Sequence, residues 1–369
     1  MQVNAKLALC RILLKLVVLS PMHASPAGAP VAFGIVSPAH WGRKLLDAAR
    51  ETPRLRLTGV FSRDPRNAAE IARQYGGKTY PSYAALLADA EIEAVMLPTP
   101  HFLHRAQAEE AFAAGKHVFV EKPIATTLAD ADAIRDAARR AQRVLAVGHQ
   151  GRRTGAARKA RALITADDIG RVVHLVAVQG FPTAFGWAPG AWRRDPALLP
   201  GGPLDELGVH YFDLMRYFAG PITHVSGWQV SDVTPGGVPD AATASFRFAT
   251  GVIGSYTTHF VSVGISQLTI YGTRGSLQLN RFGQELLRQR IVDTATSKHA
   301  GTGLEPVAID GPQPFTTALT GQFDDFANCI REGGEPEVGA REAIAALRVS
   351  RAVLESARTG RAVELPPET

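Results

Sequence analysis

Two short stretches hold ionisable side chains in positions where reaction chemistry would need them. In "HVFVEKPIATT", residues 117–127, the apolar run His117-Val118-Phe119-Val120 is followed directly by Glu121, Lys122 and Pro123. Aromatic and β-branched residues without a turn former predict a buried strand, so Lys122 stands at its C-terminal exit. Proline restricts both itself and the residue before it, which gives that exit one defined course. An ammonium held there can stabilise an oxygen that gains negative charge during reaction.

The second stretch is "GGPLDELGVHYFDLMRYFAG", residues 201–220. Glycines, a proline and then acids predict a helix N-terminus. Leu204, Leu207, Tyr211, Leu214 and Phe218 recur at helical spacing as a buried stripe, and Glu206, His210, Asp213 and Tyr217 form a second one. Glu206 and His210 are therefore expected to be neighbours on one face. The residue types leave three readings open. One is a solvated face with an i,i+4 pair. Another is a metal site of Glu206, His210 and Asp213, which no histidine cluster elsewhere completes. The third is a general base, His210, oriented by a carboxylate.

A nucleotide site is suggested further upstream. Ser37-Pro38-Ala39-His40-Trp41-Gly42 joins the apolar run "VAFGIV" to the helical pattern "WGRKLLDAAR", where a G-x-G-x-x-G fingerprint would stand. Only the last glycine is kept, the one that lets the helix approach the strand, and the Ala39 methyl is expected to cost phosphate affinity. An ordinary strand-to-helix turn fits this segment equally. About twenty residues after Gly42 the next strand ends at Ser62-Arg63, with Asp64 one step later. An acid at the tip would hold the ribose of NAD, whereas a hydroxyl and a guanidinium suit a 2′-phosphate. The alternative is a solvated turn; the expectation is NADP over NAD.

These groups need elements to carry them. From Val31 to Gly148 short apolar runs alternate with helical patterns, which predicts parallel strands with helices on both faces. Ligands of such sheets lie beyond the C-terminal strand ends, where Lys122 is. After Gly151, "RVVHLVAVQGF", "ITHVSGWQVSDV", "AATASFRFA", "GVIGSYTTHFVSV", "SQLTIYG" and "SLQLN" follow one another across short turns, which predicts a mostly antiparallel sheet. A helix pair follows, and "GRAVELPPET" reads as a tail.

At 369 residues, 46% hydrophobic and 20% charged, the chain has the composition of a globular protein with room for two cores. The net charge is +6, of which Lys6, Arg11 and Lys15 supply half, so nucleic acid is not expected as a partner. Residues 1–29 have a basic start, an apolar middle and small residues at the end, as an export signal would. Lys15 inside the apolar run argues instead for an extension outside the fold. Cys10 and Cys329 suit neither a disulfide framework nor a zinc site, so a reducing cytoplasm is expected, with export as the alternative. No run after the extension is long enough to cross a bilayer.

"LPTPHFLH", "AGKHVFVEKPIATT", "VGHQGRR" and "WRRDPALLPGGPLDELGVHYFDLMRYFAG" together resemble, in order and spacing, the glucose-fructose oxidoreductase / inositol dehydrogenase family (Gfo/Idh/MocA). The resemblance runs from about Val31 to Leu365. It implies an α/β chain with an N-terminal Rossmann domain, 30–148, and a C-terminal α/β domain, 149–366, whose mostly antiparallel open sheet serves as an interface in a homodimer or homotetramer. It also implies oxidation or reduction of a sugar, polyol or related hydroxy compound with NADP or NAD. Carried over by position, Lys122 reaches nicotinamide ribose and substrate hydroxyl, His210 takes the hydroxyl proton, and Glu206 is the orienting carboxylate. Thr99, Pro100, His104, Glu121 and Gln150 join Ser37 to Gly42 and Ser62-Arg63 at the cofactor, while Arg153, Trp192 and Arg193 face the substrate. Two departures stand out: Glu206 replaces an aspartate, and the fingerprint is incomplete. Rival readings within the resemblance are a redox-silent dinucleotide-binding regulator and a glycosidase that keeps NAD bound.

Overall fold

The computed structural model describes residues 28–234, 236–291, 301–310 and 315–368; most of the basic N-terminal extension, with Cys10, lies outside them. The first half forms a six-stranded sheet from β1 (Val31–Val36), β2 (Leu55–Phe61), β3 (Lys78–Thr79), β4 (Ala94–Leu97), β5 (His117–Val120) and β6 (Leu145–Val147). All its pairings are parallel, in the order β3-β2-β1-β4-β5-β6. β1 and β4 are buried at every position, as strands covered on both faces must be. Helices α1 (His40–Arg50), α2 (Pro65–Tyr75), α3 (Tyr83–Ala88), α4 (His104–Ala113) and α5 (Leu128–Ala141) connect them. The order reverses at β1, with β2 on one side and β4 on the other, so a crevice opens beyond their C-terminal ends. Neither α3 nor β3 was expected from the pattern, because each is too short to carry a readable period.

The second half forms a nine-stranded sheet. Its members are β7 (Val172–Gly180), β8 (Ile222–Val230), β9 (Ala241–Phe248), β10 (Ile253–His259), β11 (Ile265–Gly272), β12 (Gly275–Asn280), β13 (Glu285–Arg290), β14 (Glu305–Pro306) and β15 (Val363–Glu364). Pairing is antiparallel except between β7 and β10. α6 (Gly155–Thr165), α7 (Val209–Ala219) and α9 (Ala340–Thr359) contribute to the core with Ala157, Phe212, Met215, Val349 and Val353 against Leu175, Phe246, Tyr256 and Ile270. The other face leaves Val176, Ile253 and Trp228 exposed. The segment read as a tail corrects that expectation: β15 adds an edge strand to β8, and Glu368 hydrogen-bonds Arg216.

Helix α8 (Phe315–Glu332) returns to the first sheet. Phe323 and Phe326 meet Phe119 of β5 edge-on, with ring centres 5.1 and 5.9 Å apart. Helix α8 and the first turns of α9 thus pack into the core of the first sheet.

Candidate active site

Lys122 leaves β5 through a cis peptide bond to Pro123, and buried Val118, Phe119 and Val120 fix the strand behind it. His104 braces this exit, with Nδ1 3.1 Å from the Pro123 carbonyl and Nε2 2.9 Å from the Thr99 carbonyl. Burial takes its pKa to about 4, so the ring is neutral and donates to one carbonyl at a time. Thr99 Oγ1 in turn donates to Gln107 Oε1 at 2.6 Å, and Pro100 opens the turn His101–Leu103. Across the cleft, Lys122 Nζ donates to the main-chain carbonyl of Glu206 at 2.6 Å. Burial lowers the Lys122 pKa, and the Glu206 and Glu121 carboxylates oppose that shift. Burial, then the Lys122 charge, then His149 hold His210 well below the usual histidine range. The ring is a neutral imidazole, able to accept a proton.

A π-helical turn, Leu204–Gly208, precedes α7. The wider turn changes the register between Glu206 and His210. Glu206 Oε1 instead accepts from Arg193 Nε at 2.6 Å, and among the described residues no hydrogen bond joins Glu206 to His210. The expected i,i+4 pair is therefore not formed. Nor is the face solvated, since Asp213 is 1% exposed and clasped by Arg152, whose Nε lies 2.9 Å from Oδ2. Tyr217 lies under the Arg152 and Arg161 guanidiniums. Glu206 and Asp213 are committed to different arginines and do not converge with His210 on a metal position.

Arg193 stacks on Trp192, 4.4 Å from the ring centre, and Trp192 meets His101 and Phe102 edge-on. The loop after β7 thus reaches across to the loop after β4. Arg153 does not share this region. Its guanidinium lies 2.8 Å from both Asp325 and Glu337 and donates to the Gly321 carbonyl. Its charge is neutralised at the joint with α8.

The turn after β1 is shaped by its backbone. Ser37 adopts a left-handed φ of 49°, the conformation a fingerprint glycine would supply, and donates its N–H to Phe61 at 2.6 Å. Gly42 cannot be replaced freely, because a Cβ would lie 2.8 Å from Pro38 Cβ. Ala39 needs no such freedom: it caps α1 with φ −84° and its methyl in solvent. No side chain caps α1, so the first-turn N–H groups suit an anion, as a dinucleotide phosphate requires. His40 is exposed beside it. Asn67 Nδ2 bridges Pro38 O and Ser62 Oγ, 3.2 Å from each. Asp64 is engaged in capping α2 and pairing Arg66, while Arg63 is exposed. Glu121 is buried, and a Cβ on Gly148 would lie 2.5 Å from its carboxylate. Burial raises the Glu121 pKa against the opposing pull of the Trp41 indole and Lys122.

Residues 32–149 match the oxidoreductase family model with an NAD-binding Rossmann fold, and residues 157–278 match the GFO/IDH/MocA C-terminal domain. The chain belongs to the Gfo/Idh/MocA family. A 1,5-anhydro-D-fructose reductase of Ensifer adhaerens is 31% identical over 321 residues, covering 84% of this chain and 91% of that one. A D-xylose 1-dehydrogenase (NADP(+)) of Haloferax volcanii is 26% identical over 334 residues, 90% of this chain and 99% of its own. The solved aldose-aldose oxidoreductase of Caulobacter crescentus, complexed with glycerol, superposes with a TM-score of 0.82 at 26% identity, covering 91% of this chain and all of that one.

Like others of the Gfo/Idh/MocA family, this chain is an oxidoreductase with an NAD-binding Rossmann domain. Further residues lie at the candidate site. His149 and Arg152 lie inside the motif "VGHQGRR" beside Gln150 and Arg153, with no spacing that sets them apart. His149 sets its ring against His210 with centres 5.8 Å apart. Gln150 is 5% exposed, and its Oε1 has no hydrogen-bond partner among the described residues. Asn67 and the buried Asp205, held by Ser350 and Arg351, carry no signal that spacing alone would reveal. Among the described residues no helix is long and apolar enough to cross a membrane.

Proposed function

We propose that the protein interconverts an alcohol and a carbonyl on a sugar, polyol or related hydroxy compound, with NADP preferred over NAD. The observation that carries this reading is the Lys122 side chain, which leaves a buried strand and crosses to the Glu206 carbonyl just ahead of His210, whose ring burial and the Lys122 charge keep neutral. When bound, the nicotinamide supplies the hydride acceptor or donor. In the oxidative direction His210 accepts the hydroxyl proton, and Lys122 steadies the oxygen as its charge grows. The Glu206 carbonyl positions Lys122, while the Glu206 carboxylate, Arg193 and Trp192 line the substrate side. A guanidinium–carboxylate pair offers donors and acceptors together, which suits adjacent hydroxyls.

The NADP preference is supported by Asp64 being spent on Arg66 and the helix cap, which leaves Ser62 and Arg63 at the strand tip. The relatives named above act on sugars or sugar derivatives, and one is named for NADP. In this reading residues 30–148 form the cofactor domain, and the open face of the nine-stranded sheet pairs copies into a homodimer or homotetramer. Cytoplasmic residence is supported by a buried free thiol at Cys329.

The test is a titration with NADPH and with NADH, followed by energy transfer from tryptophan, and then a panel of neutral sugars and polyols. Tight NADPH binding, weaker NADH binding and turnover on the panel are expected. Binding of neither cofactor overturns the reading. Binding without turnover would favour a regulator, and glycoside cleavage without net cofactor change a glycosidase.

A further inference from the structure

His149 lies directly after β6, at the edge of the cleft that Lys122 enters from β5. It is 2% exposed, and neither ring nitrogen has a hydrogen-bond partner among the described residues. Protein interiors rarely leave buried polar atoms unpaired, because each forfeits the hydrogen bonds it would make to water. A core histidine with two idle nitrogens therefore points to a partner acquired during function.

The neighbour is His210, set edge-to-face at 5.8 Å between ring centres. A general base needs one bare nitrogen toward the substrate, and the hydrogen bond made by its other nitrogen decides which one that is. Carboxylates usually make that bond, but here they are occupied: Glu206 by Arg193 and Asp213 by Arg152. An imidazole–imidazole hydrogen bond puts ring centres about 5 Å apart with the acceptor lone pair in its own ring plane, so closing this pair needs a small approach together with a turn of the His149 ring.

We infer that His149 is a positioning residue for His210: it accepts the His210 N–H and so leaves the other His210 nitrogen bare toward the substrate hydroxyl. A neutral partner fixes the tautomer without adding the negative charge that would make His210 retain its proton. The charged groups acting on the pair are Lys122 from the β5 exit, Asp213 and Arg216 from α7, and Arg152 from the turn after β6. Burial keeps His149 itself neutral, with a pKa of about 4.

The inference rests on His210 being the base, and the test separates the two ideas. The pH profiles of kcat and KM are measured for the wild type, His149→Phe, His149→Asn and His149→Asp, together with NADPH affinity. Side-chain nitrogen resonances of 15N-labelled histidines are recorded with NADPH bound and no substrate. His149→Phe is expected to lower kcat at least about tenfold, with KM and NADPH affinity within about twofold, and to change the His210 tautomer. His149→Asn, which keeps an acceptor, recovers most of the rate. In His149→Asp a carboxylate favours protonated His210, so the acidic limb moves up by about 1 pH unit or more. An unmoved limb in His149→Asp together with an unchanged His210 tautomer in His149→Phe overturns the inference, even if sugar turnover is found. If His149→Phe does not fold, His149→Asp decides: an acidic limb moved up by about 1 pH unit or more supports the inference, and an unmoved limb overturns it. If the wild type turns over no substrate, the base reading fails by itself, and the nitrogen resonances still decide whether His149 sets the tautomer.

Discussion

At the turn after β1, Ala39, His40 and Arg63 stand in solvent, and what the turn would offer a phosphate is mainly main chain. At the exits of β5 and β6, Glu121, His149 and Gln150 are buried, with Lys122 and His210 half-buried beside them. One end of the cleft works through backbone geometry, which several residue types can supply. The other works through particular side chains held in place by low-dielectric surroundings. This contrast explains how the fingerprint can lose two glycines while the lysine, proline and histidine keep their places. It predicts large, specific losses from changes at the buried end and graded effects at the exposed one.

The sharpest test of the contrast is Lys122→Met, which preserves bulk and removes the charge. Turnover is expected to fall about 100- to 1,000-fold, with NADPH affinity changed only a few-fold, in steady-state kinetics paired with a fluorescence titration. Equal turnover would remove Lys122 from the chemistry and with it the functional difference between the two ends.

Gly42→Val probes the one place where the exposed end is rigid. Its Cβ would meet Pro38 at 2.8 Å and Pro98 at 3.3 Å, both ring carbons with little room to yield. Overpacking of this kind costs about 1–3 kcal/mol, seen as a lower Tm, and displacement of α1 should weaken NADPH binding more than about tenfold. Wild-type affinity with a normal Tm would mean that the backbone argument is wrong here.

Arg63→Ala is next in size. An exposed guanidinium that meets a 2′-phosphate should be worth about tenfold in NADPH affinity and nothing in NADH affinity. Parallel loss for both cofactors would assign Arg63 to the shared pyrophosphate region, and no loss for either would leave the NADP preference without a reader.

The same contrast accounts for what the sequence made legible. Long periodic segments declared themselves, so the six parallel strands, except the two-residue β3, and the helices from α1 to α9, except α3, followed from pattern. The place of Lys122 was legible because a strand end positions a single side chain, whereas the pattern around His210 left three readings open and only the family resemblance chose among them. The Glu206–His210 pairing was misjudged because ideal helix spacing was assumed where a π turn intervenes. The ion pairs of Arg153 and the packing of His149 were not legible for a related reason. Four consecutive residues, 150–153, form a tight 3₁₀ turn that sends neighbours in opposite directions, Arg152 to Asp213 and Arg153 to α8. Side-chain direction in such a turn depends on partners more than 60 residues away, which no local window contains.

The smallest effect expected is also the one that most refines the comparison. Ala39 was expected to impede the phosphate, yet its backbone is extended at φ −84° and its methyl is exposed. Glycine is the better N-cap by a few tenths of a kcal/mol or more, and removing the methyl lets a phosphate approach α1 more closely. Ala39→Gly should therefore tighten NADPH and NADH alike by no more than about threefold, with kcat unchanged. A gain of tenfold or more would show that the incomplete fingerprint is a real deficit, so that the exposed end is as demanding of residue type as the buried one. No change would mean that the left-handed Ser37 and the bare start of α1 already supply the geometry that glycines provide elsewhere.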